Sequence, residues 1–208
     1  MTSAYVAGRT LGRAGLMMAV LFMAACGGGE QEPSPVPPAV DSPSASAGAG
    51  PSMTQEKLGA LLDLEDMRGL LNVGGEVETR FLDFRSMAEA ADPTQVEDME
   101  SWYGQNFATS DISRGLTFHI MDLTTDAAAR AHFDTVLSTT PGLQTVEPAM
   151  GDASAEVEAN ADRSGSVLIF LKADLLVGFH TSHPENGTPF MSLDGLRQLA
   201  EVVNGRLP

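Results

Sequence analysis

Cysteine occurs once in the 208 residues, at Cys26. No intrachain disulfide can form, and no cysteine-built zinc site can be assembled. Aromatic residues are scarce, and the single tryptophan is Trp102. Positive charge is also scarce. Lys and Arg number 12 against 28 Asp and Glu, a formal net charge of −16. Such a surface repels nucleic-acid phosphates and anionic head groups, so a DNA or RNA partner is excluded. The longest apolar run, Gly15 to Met23, falls short of the ~20 residues a spanning helix needs. There is no phosphate-cradling P-loop, no GxGxxG turn, no GxSxG elbow and no HExxH helix. The chain must fold by burial alone, without staples and without a recognisable catalytic motif.

What is present begins at the N-terminus. Arg9 and Arg13 form a positive segment with no acid nearby, followed by the apolar stretch Gly15–Met23 and then Ala24 and Ala25. This order is that of a secretory signal over residues 1–25, with small side chains at the cut. Met23-Ala24-Ala25-Cys26 resembles a lipobox, the processing signal of bacterial lipoproteins. Met23 stands where Leu is commoner in that class. The resemblance implies a diacylglycerol on the Cys26 thiol, cleavage before it and acylation of the freed amine. Sulfur is the nucleophile this chemistry needs. Two or three acyl chains, at ~0.8 kcal/mol per buried CH₂, suffice for stable anchoring. The plain alternatives are an ordinary cleavable signal that ends at an unmodified Cys, or an uncleaved anchor. Gly27, where enterobacterial lipoproteins retained in the inner membrane carry Asp, resembles outer-membrane sorting if two membranes exist. The expected location is therefore the cell membrane or outer membrane, with the domain facing the periplasm or exterior.

Residues 26–53 follow as the lipidated position and a linker rich in Pro, Ser, Gly and Ala, with prolines at 33, 35, 37 and 38. Almost nothing there can enter a core, so a disordered tether is expected. As a coil it reaches ~30 Å, and stretched ~90 Å.

From Thr54 to Pro208 the pattern becomes that of one globular domain. Asp63 caps a predicted helix that ends at Asn72 and Gly74-Gly75. Glu76–Phe84 alternates as a strand. Ser86–Ala91 and Thr94–Tyr103 read as two helices split by Asp92-Pro93, the second with a capping box of Thr94 and Glu97. Leu116–Leu123 is a strand with Leu116, Phe118 and Ile120 on one side. Thr125 caps a helix over Asp126–Leu137, and Pro141-Gly142 stops it. Short strands are expected near Leu143–Glu147 and Ala155–Asn160. Ser166–Leu171 and Leu175–Thr181 form a hairpin around Lys172-Ala173-Asp174. Ser192 caps a last helix with Leu196, Leu199, Ala200, Val203 and Leu207 in one stripe. The fold class is α+β, an antiparallel sheet with helices packed on one face. The order from Leu116 onward, with GDASAEVEA before the hairpin, resembles small domains of uncharacterised bacterial lipoproteins; that resemblance implies no activity.

Three sets of residues are candidate sites. His180 and His183, with Glu185 or His119 as a third donor, have the imidazole and carboxylate chemistry of a divalent metal site. Their plain reading is polar residues where a strand leaves for a loop. Trp102, Tyr103 and Phe107 cluster around Gly104 and offer aromatic faces to a sugar or peptide. Their plain reading is a helix end packed on the sheet. His132, beside Asp126 and Arg130, reads as a solvated helical residue. Cys26 is the lipidation site. No catalytic residue is assigned, and no cofactor beyond the acyl modification. The expected function is a lipid-anchored extracytoplasmic binding or interaction module, with an envelope protein or the cell wall as partner and the membrane reached through the anchor. The alternatives are a metal- or small-ligand-binding periplasmic lipoprotein, and a hydrolase lacking a recognisable motif.

Overall fold

The computed structural model describes residues 58–59, 61–160, 164–184 and 187–208. The signal segment, Cys26, the linker and Glu185 lie outside the described residues. The described chain builds a seven-stranded sheet in which every pair of neighbours is antiparallel. In chain order the elements are β1 (Val77–Asp83), α1 (Phe84–Ala91), a 3-10 turn (Pro93–Val96), β2 (Met99–Thr109), β3 (Gly115–Leu123), α2 (Asp126–Thr139), β4 (Gln144–Thr145), β5 (Ala153–Val157), β6 (Val167–Lys172), β7 (Leu175–Ser182) and α3 (Leu193–Arg206). The strand order is β1-β2-β3-β7-β6-β5-β4. Two meanders meet at the central β3–β7 pair, and α2 carries the chain from the middle of the sheet to its far edge. The α+β antiparallel expectation is met.

Period-two alternation sends neighbouring side chains to opposite faces, and both faces carry a core. On one, Leu116, Phe118 and Ile120 of β3 meet Val177 and Phe179 of β7, Leu168 and Phe170 of β6, and the α3 stripe Leu196, Leu199, Ala200 and Val203. Phe118 and Phe179 stack with centroids 5.1 Å apart. On the other, Met121, Leu176, Ile169 and Trp102 are covered by Phe84 and Ala88 of α1 and Ala129 and Phe133 of α2. The helices thus divide between the two faces instead of gathering on one. The reason is in the strands: β3, β6 and β7 are apolar on both sides, so each side needs a cover.

Caps place the helices. Asp83 Oδ1 accepts the Ser86 N–H at 2.9 Å, Thr125 Oγ1 accepts the Ala128 N–H at 3.1 Å, and Ser192 Oγ accepts the Gly195 N–H at 3.1 Å. At the other end of α3, Lys172 Nζ donates to the carbonyls of Asn204 and Leu207 at 2.8 and 2.7 Å. It thereby satisfies acceptors that a helix C-terminus leaves open.

Two predicted helices are corrected. Residues Thr94–Tyr103 form no α-helix. Asp92 takes the Thr94 N–H at 3.0 Å, the turn closes by Val96, and Met99 onward pairs with β3, then from Tyr103 with β1 as well. Pairing on two sides overrides a local capping signal. After Asp63, whose Oδ1 accepts the N–H groups of Glu65 and Asp66, residues 64–70 are turns rather than helix. Gly69 at φ +81° breaks the right-handed path, and Leu71 bridges to Met191. His132 is also corrected: its Nε2 lies 2.9 Å from Asp98 Oδ2, so it ties α2 to the start of β2 and is not simply solvated.

Candidate functional site: the open end of one sheet face

The strand register sets side chains in transverse rows. On the face covered by α1 and α2, one row reads Leu82, Gly104, His119, Gly178, Ile169, Ala155. Its centre is small by necessity. A Cβ on Gly104 would lie 2.4 Å from Phe84 Cε2, and one on Gly178 would lie 2.2 Å from His119 Nε2. The Phe84 ring therefore rests on Gly104 and the His119 ring on Gly178, where only glycine permits such approach. Trp102 completes the group, 5.1 Å from Phe84 and 6.1 Å from His119 between ring centroids. Its indole N–H donates to His119 Nδ1 at 3.3 Å. A nitrogen that accepts carries no proton, so the His119 proton sits on Nε2. Burial, with the neighbouring His180 charge second, pushes the His119 pKa down to about 4.

The next row toward the β2–β3 turn reads Arg80, Asn106, Thr117, His180, Val167, Val157, and the one after it Glu78, Ala108, Gly115, Ser182. At the β5–β6 end of the first of these rows Val157 and Val167 still pack in one apolar cluster with Val136 and Leu137 of α2; the centre of the row is less covered. Asn106, Thr117, His180 and Ser182 are half-buried, whereas Phe107, Leu116, Phe179 and Thr181 at the same level on the opposite face are fully buried. Asn106 Nδ2 donates to Thr117 Oγ1 at 3.1 Å. Ala108 and Gly115 leave the floor low, with Ser182 Oγ beside Gly115. At the rim Arg80 and Glu78 pair at 3.2 Å and cancel in charge. The result, among the described residues, is a half-buried patch of amide, hydroxyl and imidazole groups, backed by the His119–Trp102 pair. It can hydrogen-bond an uncharged ligand laid on the sheet.

The expected site residues fall as follows. His119 and His180 come to one face. His183 lies beyond the end of β7, where its Nδ1 donates to the Pro184 carbonyl at 2.9 Å. Glu185, the proposed carboxylate, lies outside the described residues. Among the described residues no group of three or more His, Cys, Asp or Glu side chains is placed to hold a metal ion. Trp102, Tyr103 and Phe107 do not share a surface. Trp102 packs against Phe84 and Met121 on one face, Phe107 is buried in the core of the other, and Tyr103 borders that second core. Asn106, Thr117 and Ser182 were missed by sequence reasoning. Their signal was the polar partner in the alternations Asn106/Phe107 and Leu116/Thr117/Phe118, which reads as a wet face only once β2 and β3 are known to be neighbours.

No protein-family model and no curated protein matches this chain. Among solved structures it is similar to the extracellular domain of PknH from Mycobacterium tuberculosis, with a TM-score of 0.46 and 11% identity, over 74% of this chain and 96% of that one. Among the described residues no helix is long and apolar enough to cross a membrane.

Proposed function

We propose that this protein is a lipid-anchored, extracytoplasmic binding module whose ligand lies across the open end of the sheet, on Asn106, Thr117, His180 and Ser182. The observation that carries the reading is the contrast between the two faces at one strand level. One is sealed by Phe107, Leu116, Phe179 and Thr181; the other is polar and half-buried at Asn106, Thr117, His180 and Ser182 among the described residues. A face that served only to fold would be closed by the helices that already lie on it. The amide, hydroxyl and imidazole groups, with Glu78 and Arg80 paired at the rim, favour a hydrogen-bonding ligand such as an envelope glycan or an extended peptide. The lipobox-like Met23-Ala24-Ala25-Cys26 and the Pro/Ser/Gly-rich segment after it supply the anchor and the reach.

Two measurements test this. Mass spectrometry of the mature N-terminus should find acyl chains on Cys26, and Cys26→Ser should move the protein from the membrane to the soluble fraction; an unmodified thiol refutes the anchor. Amide NMR shifts during titration with neutral oligosaccharides and short peptides should move Asn106, Thr117, His180 and Ser182 first. Asn106→Ala should weaken the response while leaving Trp102 fluorescence unchanged. Shifts confined to other surfaces, or no shift across the panel, would remove the ligand site.

A further inference from the structure

The two edges of the sheet are not alike. The β4 edge is two residues long. The β1 edge is seven residues, VETRFLD, paired among the described residues only through β2, with residues 78–81 all exposed and Phe81, beside Gly59, showing 39% of its surface. Alternate residues of such a strand direct N–H and C=O groups outward, a template for another strand. Proteins blunt long edges with proline, bulges, covering segments or charged side chains, lysine above all. Among residues 77–83 there is no proline and no lysine, and the register with β2 runs without a break. Besides Asp83 at its end, the strand's charges are of opposite sign and two residues apart: Glu78 and Arg80, on the same face, flank Thr79.

This spacing is self-complementary. We propose that β1 pairs antiparallel with β1 of a second copy of this chain, about a two-fold axis through Thr79, joining two sheets into one. In that register Glu78 faces Arg80 of the second copy and Arg80 faces its Glu78, on one face of the sheet. On the other face Val77 meets Phe81 twice, and Thr79 meets itself. Opposite charges, β-branched pairs and an aromatic against a β-branched residue are the favourable cross-strand combinations. Shifting the axis by one residue destroys this. An axis at Glu78 or at Arg80 sets two like charges directly opposite each other. The register holds whichever residues carry the outward amides, because an axis centred on a residue fits both the hydrogen-bonded and the non-hydrogen-bonded kind of pair. The interface is isologous and closes at two copies, since each chain then has only its short β4 edge left. The inference does not rest on the ligand reading above, although pairing would set the two open patches side by side.

The test uses the full chain in a nonionic detergent at physiological salt. Sedimentation over a wide concentration range should show a monomer–dimer equilibrium for the native chain. Glu78→Arg sets Arg against Arg, and Arg80→Glu sets Glu against Glu. Each variant alone should weaken dimerisation about tenfold or more. An equimolar mixture of the two should dimerise again, because each strand then faces its opposite. Hydrogen exchange should protect the outward amides of Glu78–Arg80 only in the dimer, and Trp102 fluorescence checks that each variant is folded. A native chain that stays monomeric, single variants that dimerise as well as the native chain, or a mixture that fails to recover would each overturn the proposal. So would a monomer whose β1 amides are already protected, since the edge would then be covered by the chain itself.

Discussion

Replacing His119 by glutamine should flatten the acid sensitivity of this fold. The imidazole is 7% exposed, accepts from Trp102 and stays neutral until about pH 4, whereas in the unfolded chain it ionises near 6.5. Above pH 6.5 both states hold it neutral, and it contributes nothing to the pH dependence. Below 6.5 the unfolded chain takes up a proton that the native state refuses, so native stability falls as pH falls. The loss saturates once the native imidazole also titrates. At about 1.4 kcal/mol per pH unit, the interval from 6.5 to about 4 amounts to ~3 kcal/mol, most of it reached by pH 4.5. Glutamine keeps a carbonyl for the Trp102 N–H and has no proton to gain. Urea unfolding followed by the single tryptophan, at pH 7.5 and pH 4.5, measures the difference. Carboxylate effects are common to both proteins and cancel. The native chain should lose ~2–3 kcal/mol more than His119→Gln over this range. Equal losses in the two proteins, or an NMR titration of His119 near 6.5, would refute the account of the buried pair.

Other outcomes follow from contacts already described. Gly178→Ala drives a methyl onto His119 Nε2, and Gly104→Ala drives one onto Phe84 and the Phe118 carbonyl; each should cost ~1–3 kcal/mol in denaturant unfolding. Combining Gly178→Ala with His119→Ala should cost less than the sum, because the clash partner is gone. Phe179→Ala removes a fully buried ring stacked on Phe118 and should cost ~3–5 kcal/mol, with cooperativity retained. Lys172→Met leaves the Asn204 and Leu207 carbonyls without their ammonium donor, and hydrogen exchange in the last turn of α3 should quicken while the central strands stay protected.

Where local chemistry decided local structure, the chain could be read directly. Thr125 and Ser192 cap their helices with short hydroxyls, and both helices lie where those caps put them. The β6–β7 hairpin follows from two dense apolar runs around Ala173-Asp174. The alternation Leu116, Phe118, Ile120 showed one buried face of β3, though not that the other face is buried too over Ile120–Leu123. Reading failed between Thr94 and Tyr103, where a good capping box lost to pairing with β3 from Met99 on and with β1 from Tyr103. A residue's preference spans less than a kcal/mol, and a ladder over nine residues outweighs it.

The candidate site was legible only in fragments. His119 and His180 stood out as rare titratable residues, 61 positions apart and with nothing in the order of residues to join them. Antiparallel pairing of β3 with β7 puts them on one face, and Gly178 supplies the gap in which His119 lies flat. The lone cysteine at the end of a short apolar run, the acidic balance, the capped helices and the α+β class are properties of residue type and spacing along the chain. They need no partner distant in sequence. Which face each strand presents, which histidine is buried, which polar side chains share one face and which strands form the edges depend on strand order. Strand order is set by contacts between residues far apart in the chain, so the fold had to be assembled before those facts existed.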